Sequence, residues 1–176
     1  MAIHFVQESA ISHFLFSSPK SAALWLLVRL YIGWGWFTAG WDKVQDGAWF
    51  GYTAGAKLTG FIQGALAKTS GAHPDVQMWY ASFLNDFVLP NVMLWSNAVA
   101  VGEVLVGLGL MVGCLVGIAA FFGAFMNLNF LLAGTVSINP IFLILGIFLM
   151  LSWRVAGYYG VDYFISPYLR KLRKSA

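Results

Sequence analysis

Five polar side chains interrupt otherwise apolar stretches of the chain: Arg29, Glu103, Asn127, Asn129 and Arg154. A charge at the centre of a bilayer costs roughly 2.5–3.5 kcal/mol on insertion scales, so it faces a partner or a cavity. Counted from the expected inner helix ends, Arg29 falls about 12 Å deep and Glu103 about 15 Å. Arg154 falls about 5–9 Å deep and Asn127 about 18 Å on the same count. That predicts one polar layer in which Glu103 is flanked by Arg29 and Arg154, since a bidentate arginine–carboxylate pair desolvates both partners at least cost. Two arginines around one carboxylate leave a net positive, partly hydrated pocket. It could hold a quinone carbonyl or deliver a proton to a reduced quinone, which makes Glu103 the candidate catalytic acid. Arg29, Arg154 and Asn127 are then the candidate cofactor contacts. The competing reading is structural: the same charges lock the helices in register, and both arginines are shallow enough to snorkel to the headgroups. Asn129 lies about 200° from Asn127 on a helix and is assigned to interhelical packing.

Other residue types narrow the chemistry. His4, His13 and His73 lie outside the apolar stretches, so no haem held by two histidines is expected among them. A lone Cys114 excludes an internal disulfide and a dithiol relay, and no metal site is expected. Any redox step must therefore draw its electrons from a bound organic cofactor or a partner protein. Trp34 is a candidate for stacking on a quinone ring. The alternative places it in an interfacial aromatic belt with Trp36, Phe37, Trp41, Trp49 and Phe50.

The elements that must position these groups follow from composition. The 176 residues are 60% hydrophobic and only 10% charged, where a soluble domain carries about 25% charge. Such a chain cannot coat a water-facing surface, which excludes a soluble enzyme, a disordered chain and a nucleic-acid binder. The expected fold is all-α, a single membrane domain over 1–176 built as a four-helix transmembrane bundle. Spans are expected at about 21–41, 91–113, 115–135 and 138–157, each close to the roughly 30 Å of a hydrocarbon core. Small residues at Gly109, Gly113, Gly117, Ala119 and Gly123 predict close helix approach. An insertion over 42–90 carries two amphipathic helical pieces, one with Leu58, Phe61, Ile62 and Leu66, the other with Met78, Trp79, Phe83 and Phe87. These lie flat on the bilayer, cap the helices, or form a lid over a site. Lys20 and the basic tail over 166–176 put both termini on the cytoplasmic side of a multi-pass cell-membrane (inner or plasma membrane) protein. No removable signal peptide is read at the N-terminus.

The stretch from Arg29 through Gly33, Gly40 and Lys43 resembles the first-helix motif of the DoxX/DoxD family of small bacterial and archaeal membrane proteins. The likeness continues through Gly102-Glu103-xxx-Gly107, the segment from Gly123 to Gly134, Ser137-Ile-Asn139-Pro140, and Arg154-xx-Gly157-xx-Gly160-x-Asp162. It spans about 24–165. The resemblance implies a four-helix transmembrane bundle. It also implies the membrane subunit of a thiosulfate:quinone oxidoreductase, working with a second redox subunit. Other members of the family imply a non-catalytic anchor or scaffold for a redox or oxidative-stress partner. Expected partners are thus the lipid bilayer, membrane quinone, that second subunit and further copies of the chain, with no nucleic acid.

Overall fold

The structure, a computed structural model, describes residues 8–165, and the basic tail expected over 166–176 lies outside them. Among the described residues the chain is helical and contains no strand. A short α1 (Ala10–Ser12) continues as a π turn, and Pro19–Ser21 form a 3-10 turn. The Ser18 side chain accepts from the Lys20 amide there, and Pro19 supplies a preset φ, a common pairing at helix starts. Then come α2 (Ala22–Gln45), α3 (Ala56–Leu66), α4 (Met78–Phe83), α5 (Val92–Val112), α6 (Val116–Leu132), α7 (Asn139–Leu151) and α8 (Trp153–Ala156). Two continuous helical stretches, Pro19–Gln45 and Met78–Val112, are long and apolar enough to cross a membrane, and only 33% and 28% of their most apolar windows are buried. A helix in the centre of a soluble protein would be largely covered.

Glycine sets the closest seam. A Cβ at Gly33 would meet the Met111 amide, one at Gly107 the Phe37 amide, and one at Gly40 the Val104 amide, all at 3.0 Å or less. Helices α2 and α5 therefore run antiparallel with 33 facing 111, 37 facing 107 and 40 facing 104. Trp25, Ile32, Trp36, Val106, Leu110, Phe142 and Leu149 form the core shared by the long helices. Helices α5 and α6 meet at a hairpin turn, where Gly109 packs on Ala119. Gly146 of α7 packs on Ala124 of α6.

A second core covers the opposite end. Leu58 and Ile62 of α3 pack there with Val76, Tyr80, Leu84, Val88 and Ala133. Helix α4 reaches that position by turning back. The Tyr80 hydroxyl donates to Asn129, 14 residues along α6 from the hairpin, or about 20 Å up. The start of α5 is about 30 Å up. The break falls at Asn91 (φ −121°, ψ 32°), next to Pro90, whose ring removes a helix hydrogen bond. The two amphipathic pieces thus cap the helices. In the first, Leu58 and Ile62 face inward as expected. In the second the buried face is Tyr80, Ala81, Leu84 and Val88, while Met78, Trp79, Phe83 and Phe87 point outward.

Three boundaries differ from the sequence expectation. Helix α2 runs to Gln45, past the expected end at 41, and so carries Lys43 within it. The segment from Met78 onward joins α5 through consecutive helical turns, with no coil between the expected insertion and the second span. The fourth expected span breaks at Ser152, whose hydroxyl donates back to Phe148 O at 2.8 Å and competes with helix propagation.

Candidate functional site

Glu103 is 1% exposed in the middle of α5. Its partner is Lys43, whose Nζ donates to Oε2 at 2.6 Å and also approaches the Ala39 carbonyl at 3.5 Å. The ammonium stands 5.2 Å from the Trp49 ring centroid, within cation–π reach. Gly40 makes the pair possible. Its missing side chain brings α2 against Glu103 Cβ, where an added Cβ would lie 2.8 Å away. The Lys43 side chain is 20% exposed, so the pair is buried on the Glu103 side and reachable on the lysine side.

The expected Arg29–Glu103–Arg154 cluster does not form. By the α2–α5 register, Arg29 faces the hairpin turn, twelve residues and about 18 Å from the level of Glu103. The depth estimate failed because it assumed that the inner helix ends are level, whereas α2 extends past the hairpin. Arg29 is buried and donates from Nη2 to the Tyr159 carbonyl at 2.7 Å. Its guanidinium sits between Gly113 and Gly160. Nearby, Asp162 accepts from the Leu115 and Val116 amides at 2.7 and 2.9 Å, capping α6. Arg154 lies beyond the break at Ser152, is exposed, and stacks over Trp153 at 5.2 Å.

Asn127 is buried to 1%, and neither its Nδ2 nor its Oδ1 has a hydrogen-bond partner in the protein. Gly102 packs against Met126 and Gly123 against Val106 and Trp36, which sets Asn127 level with Glu103. Asn129 is a packing residue, as expected: it accepts from Tyr80 and donates to the Phe125 carbonyl. Trp34 is 61% exposed, and its ring lies tilted beside Phe37 with centroids 6.4 Å apart.

Along one side of α5 and α6, beside α3 and α4, runs a lateral apolar groove of ≈ 920 Å³. It runs from Cys114 and Ile118 at the hairpin to Phe61 and Tyr80 at the cap. Arg29, Glu103, Asn127 and Arg154 do not line it. Its polar end is the Tyr80 hydroxyl, 3.0 Å from the Asn129 carbonyl oxygen and 3.1 Å from Oδ1. The sequence signal for the groove was present in the small residues of α5 and α6, which were read as packing alone. The signal for Lys43 was the stripe Arg29, Gly33, Trp36, Gly40, Lys43 at three- and four-residue spacing.

Comparison with family models, with curated proteins and with solved structures finds no match to this chain.

Proposed function

We propose that this chain is a multi-pass cell-membrane protein in which α2, α5, α6 and α7 form a four-helix transmembrane bundle. We further propose that it serves as the membrane subunit of a quinone-linked oxidoreductase. Support for the membrane placement comes from the outward faces: Leu27 and Trp34, Leu105 and Val112, Phe121 and Phe125, Ile144 and Leu151 are all exposed. Sets of large apolar residues on the outside of every long helix suit lipid. Helices of 17 and 13 residues in α6 and α7 are shorter than the usual span and call for local thinning or tilt.

The observation that carries the quinone reading is the α5–α6 groove. A long apolar trough open to the side is suited to an isoprenoid tail, and the Tyr80 hydroxyl at its end is a donor that can be redirected to a quinone carbonyl. This moves the cofactor contacts away from Arg29, Arg154, Asn127 and Trp34, and the catalytic role away from Glu103. The three lysines at the cap end are already engaged: Lys43 with Glu103, Lys57 with Asp46, Lys68 with the Gly134 carbonyl. Thiosulfate binding therefore falls to the second redox subunit.

A specific observation favours the second reading, a non-catalytic scaffold: the Lys43–Glu103 pair and the Arg29 clasp both serve packing directly. One preparation separates the two. The protein, purified in mild detergent, is extracted for quinone beside a Gly102→Leu variant. That leucine would enter the groove, where the nearest atom to its Cβ is Met126 Sδ at 3.5 Å. The quinone reading expects bound quinone in the native chain and at least a tenfold loss in the folded variant. No quinone in the native chain, or equal amounts in both, supports the scaffold.

A further inference from the structure

We propose that Asn127, Glu103 and Lys43 enclose an internal water-binding site that connects the buried carboxylate of Glu103 to the solvent at the α3 end of the fold. The inference stands apart from the quinone reading, since Asn127, Glu103 and Lys43 do not line the groove.

Asn127 is the starting point. An amide has two N–H donors and a carbonyl acceptor, and burial of such a group without hydrogen bonds costs several kilocalories per mole, about 2–7 depending on reference. Here both ends are unpartnered in the protein at 1% exposure. Two explanations exist for a buried amide of this kind: it is dry and destabilising, or it binds water. Water needs a polar, roomy site with two to four partners. The surroundings supply them. Glu103 stands at the same level across the interior, set there by the Gly102–Met126 and Gly40–Glu103 contacts. Its Oε2 accepts from Lys43 Nζ, while a carboxylate has capacity for further hydrogen bonds. The Trp36 indole nitrogen lies beside Gly123, one turn from Asn127.

Lys43 gives the site its opening. Its ammonium bonds Glu103 at 2.6 Å, yet its side chain is 20% exposed. The ion pair therefore links the buried carboxylate, through the part-exposed lysine, to the solvent outside. Asn127, with no charge of its own, holds the water on the far side of the carboxylate.

The test is hydrogen exchange of side-chain amides by nuclear magnetic resonance on the full chain in lipid nanodiscs, selectively labelled at asparagine. Asn129, which is bonded to Tyr80 and Phe125, is the internal reference. The site predicts that Asn127 Nδ2 protons exchange with D2O at least tenfold faster than those of Asn129. It also predicts that Lys43→Met slows the Asn127 exchange tenfold. A variant that does not depend on exchange is Asn127→Leu. A hydrated site predicts a lower unfolding temperature for this leucine; a dry orphan predicts a higher one. Slow exchange at Asn127 in the native chain, or a stabilising Asn127→Leu, overturns the proposal.

Discussion

A Cβ added at Gly113 would lie 1.6 Å from Arg29 Nη1 and 2.8 Å from the Gly160 Cα, at a backbone φ of +73°. Left-handed backbone and lack of space thus coincide where the buried guanidinium docks. Gly113→Ala is expected to cost about 3 kcal/mol or more, through strain and loss of the Arg29 seat. Thermal unfolding in detergent measures it, and a loss below about 1 kcal/mol, the size of an ordinary surface change, contradicts the seat. The second residue-scale prediction concerns Lys43. Removing one partner of a buried pair strands the other, at about 3 kcal/mol, whereas removing both is far cheaper. Lys43→Met alone should therefore be more destabilising than Lys43→Met with Glu103→Gln, and a double-mutant cycle reads the difference. Additive losses would mean that the two do not couple. That Glu103 needed a cation was legible from its residue type inside an apolar stretch. Which cation was not, because choosing Lys43 over Arg29 depends on a register fixed by Gly33, Gly40 and Gly107 against backbone atoms of the facing helix.

Helix existence was legible from continuous apolar runs, and α5 and α6 begin and end within about three residues of expectation. Helix ends were less so, since they depend on partners distant in sequence. Leu115 precedes α6 at φ 51°, and the start is secured by a carboxylate 47 residues away, Asp162. The outward stripe of Met78, Trp79, Phe83 and Phe87 has helical spacing, as does the buried one beside it, so periodicity alone could not select the face. At the other end of α2, Asp46 ties the helix to α3. Its carboxylate accepts from the Ala48 amide at 2.9 Å and from Lys57. The Lys57 bond, then the Ala48 bond, hold the Asp46 carboxyl below the usual aspartate range. A depressed folded-state pKa means that this link stabilises at neutral pH, above the unfolded value, and fades as pH falls through the folded value. The unfolding-temperature difference between the native chain and Asp46→Asn should be present at pH 6 and close below about pH 4. A gap that stays constant down to acid pH would mean that the link contributes nothing to folding.

Among the described residues, charge divides the molecule into two unlike ends. At the hairpin end lie Lys20 and Arg154, both exposed. At the cap end, Lys43 and Lys57 are matched by carboxylates and Lys68 is turned inward onto a carbonyl; Asp75 and Asp86 add further negative charge there. Exposed basic residues near the ends of spans are retained on the cytoplasmic side, so the hairpin end should face inward and the α3–α4 cap outward. The four-span reading makes this checkable with two exposed serines, Ser17 before α2 and Ser70 in the cap. With Cys114 changed to Ser, a cysteine at 70 should react in intact cells with a membrane-impermeant maleimide, and a cysteine at 17 only after the membrane is opened. An odd number of crossings between these sites gives that contrast, and α2 is the crossing between them. Equal labelling of both in intact cells would place α2 on one side of the bilayer. The groove between α5 and α6 would then face water, an environment in which its apolar walls would draw a protein surface rather than a lipid tail.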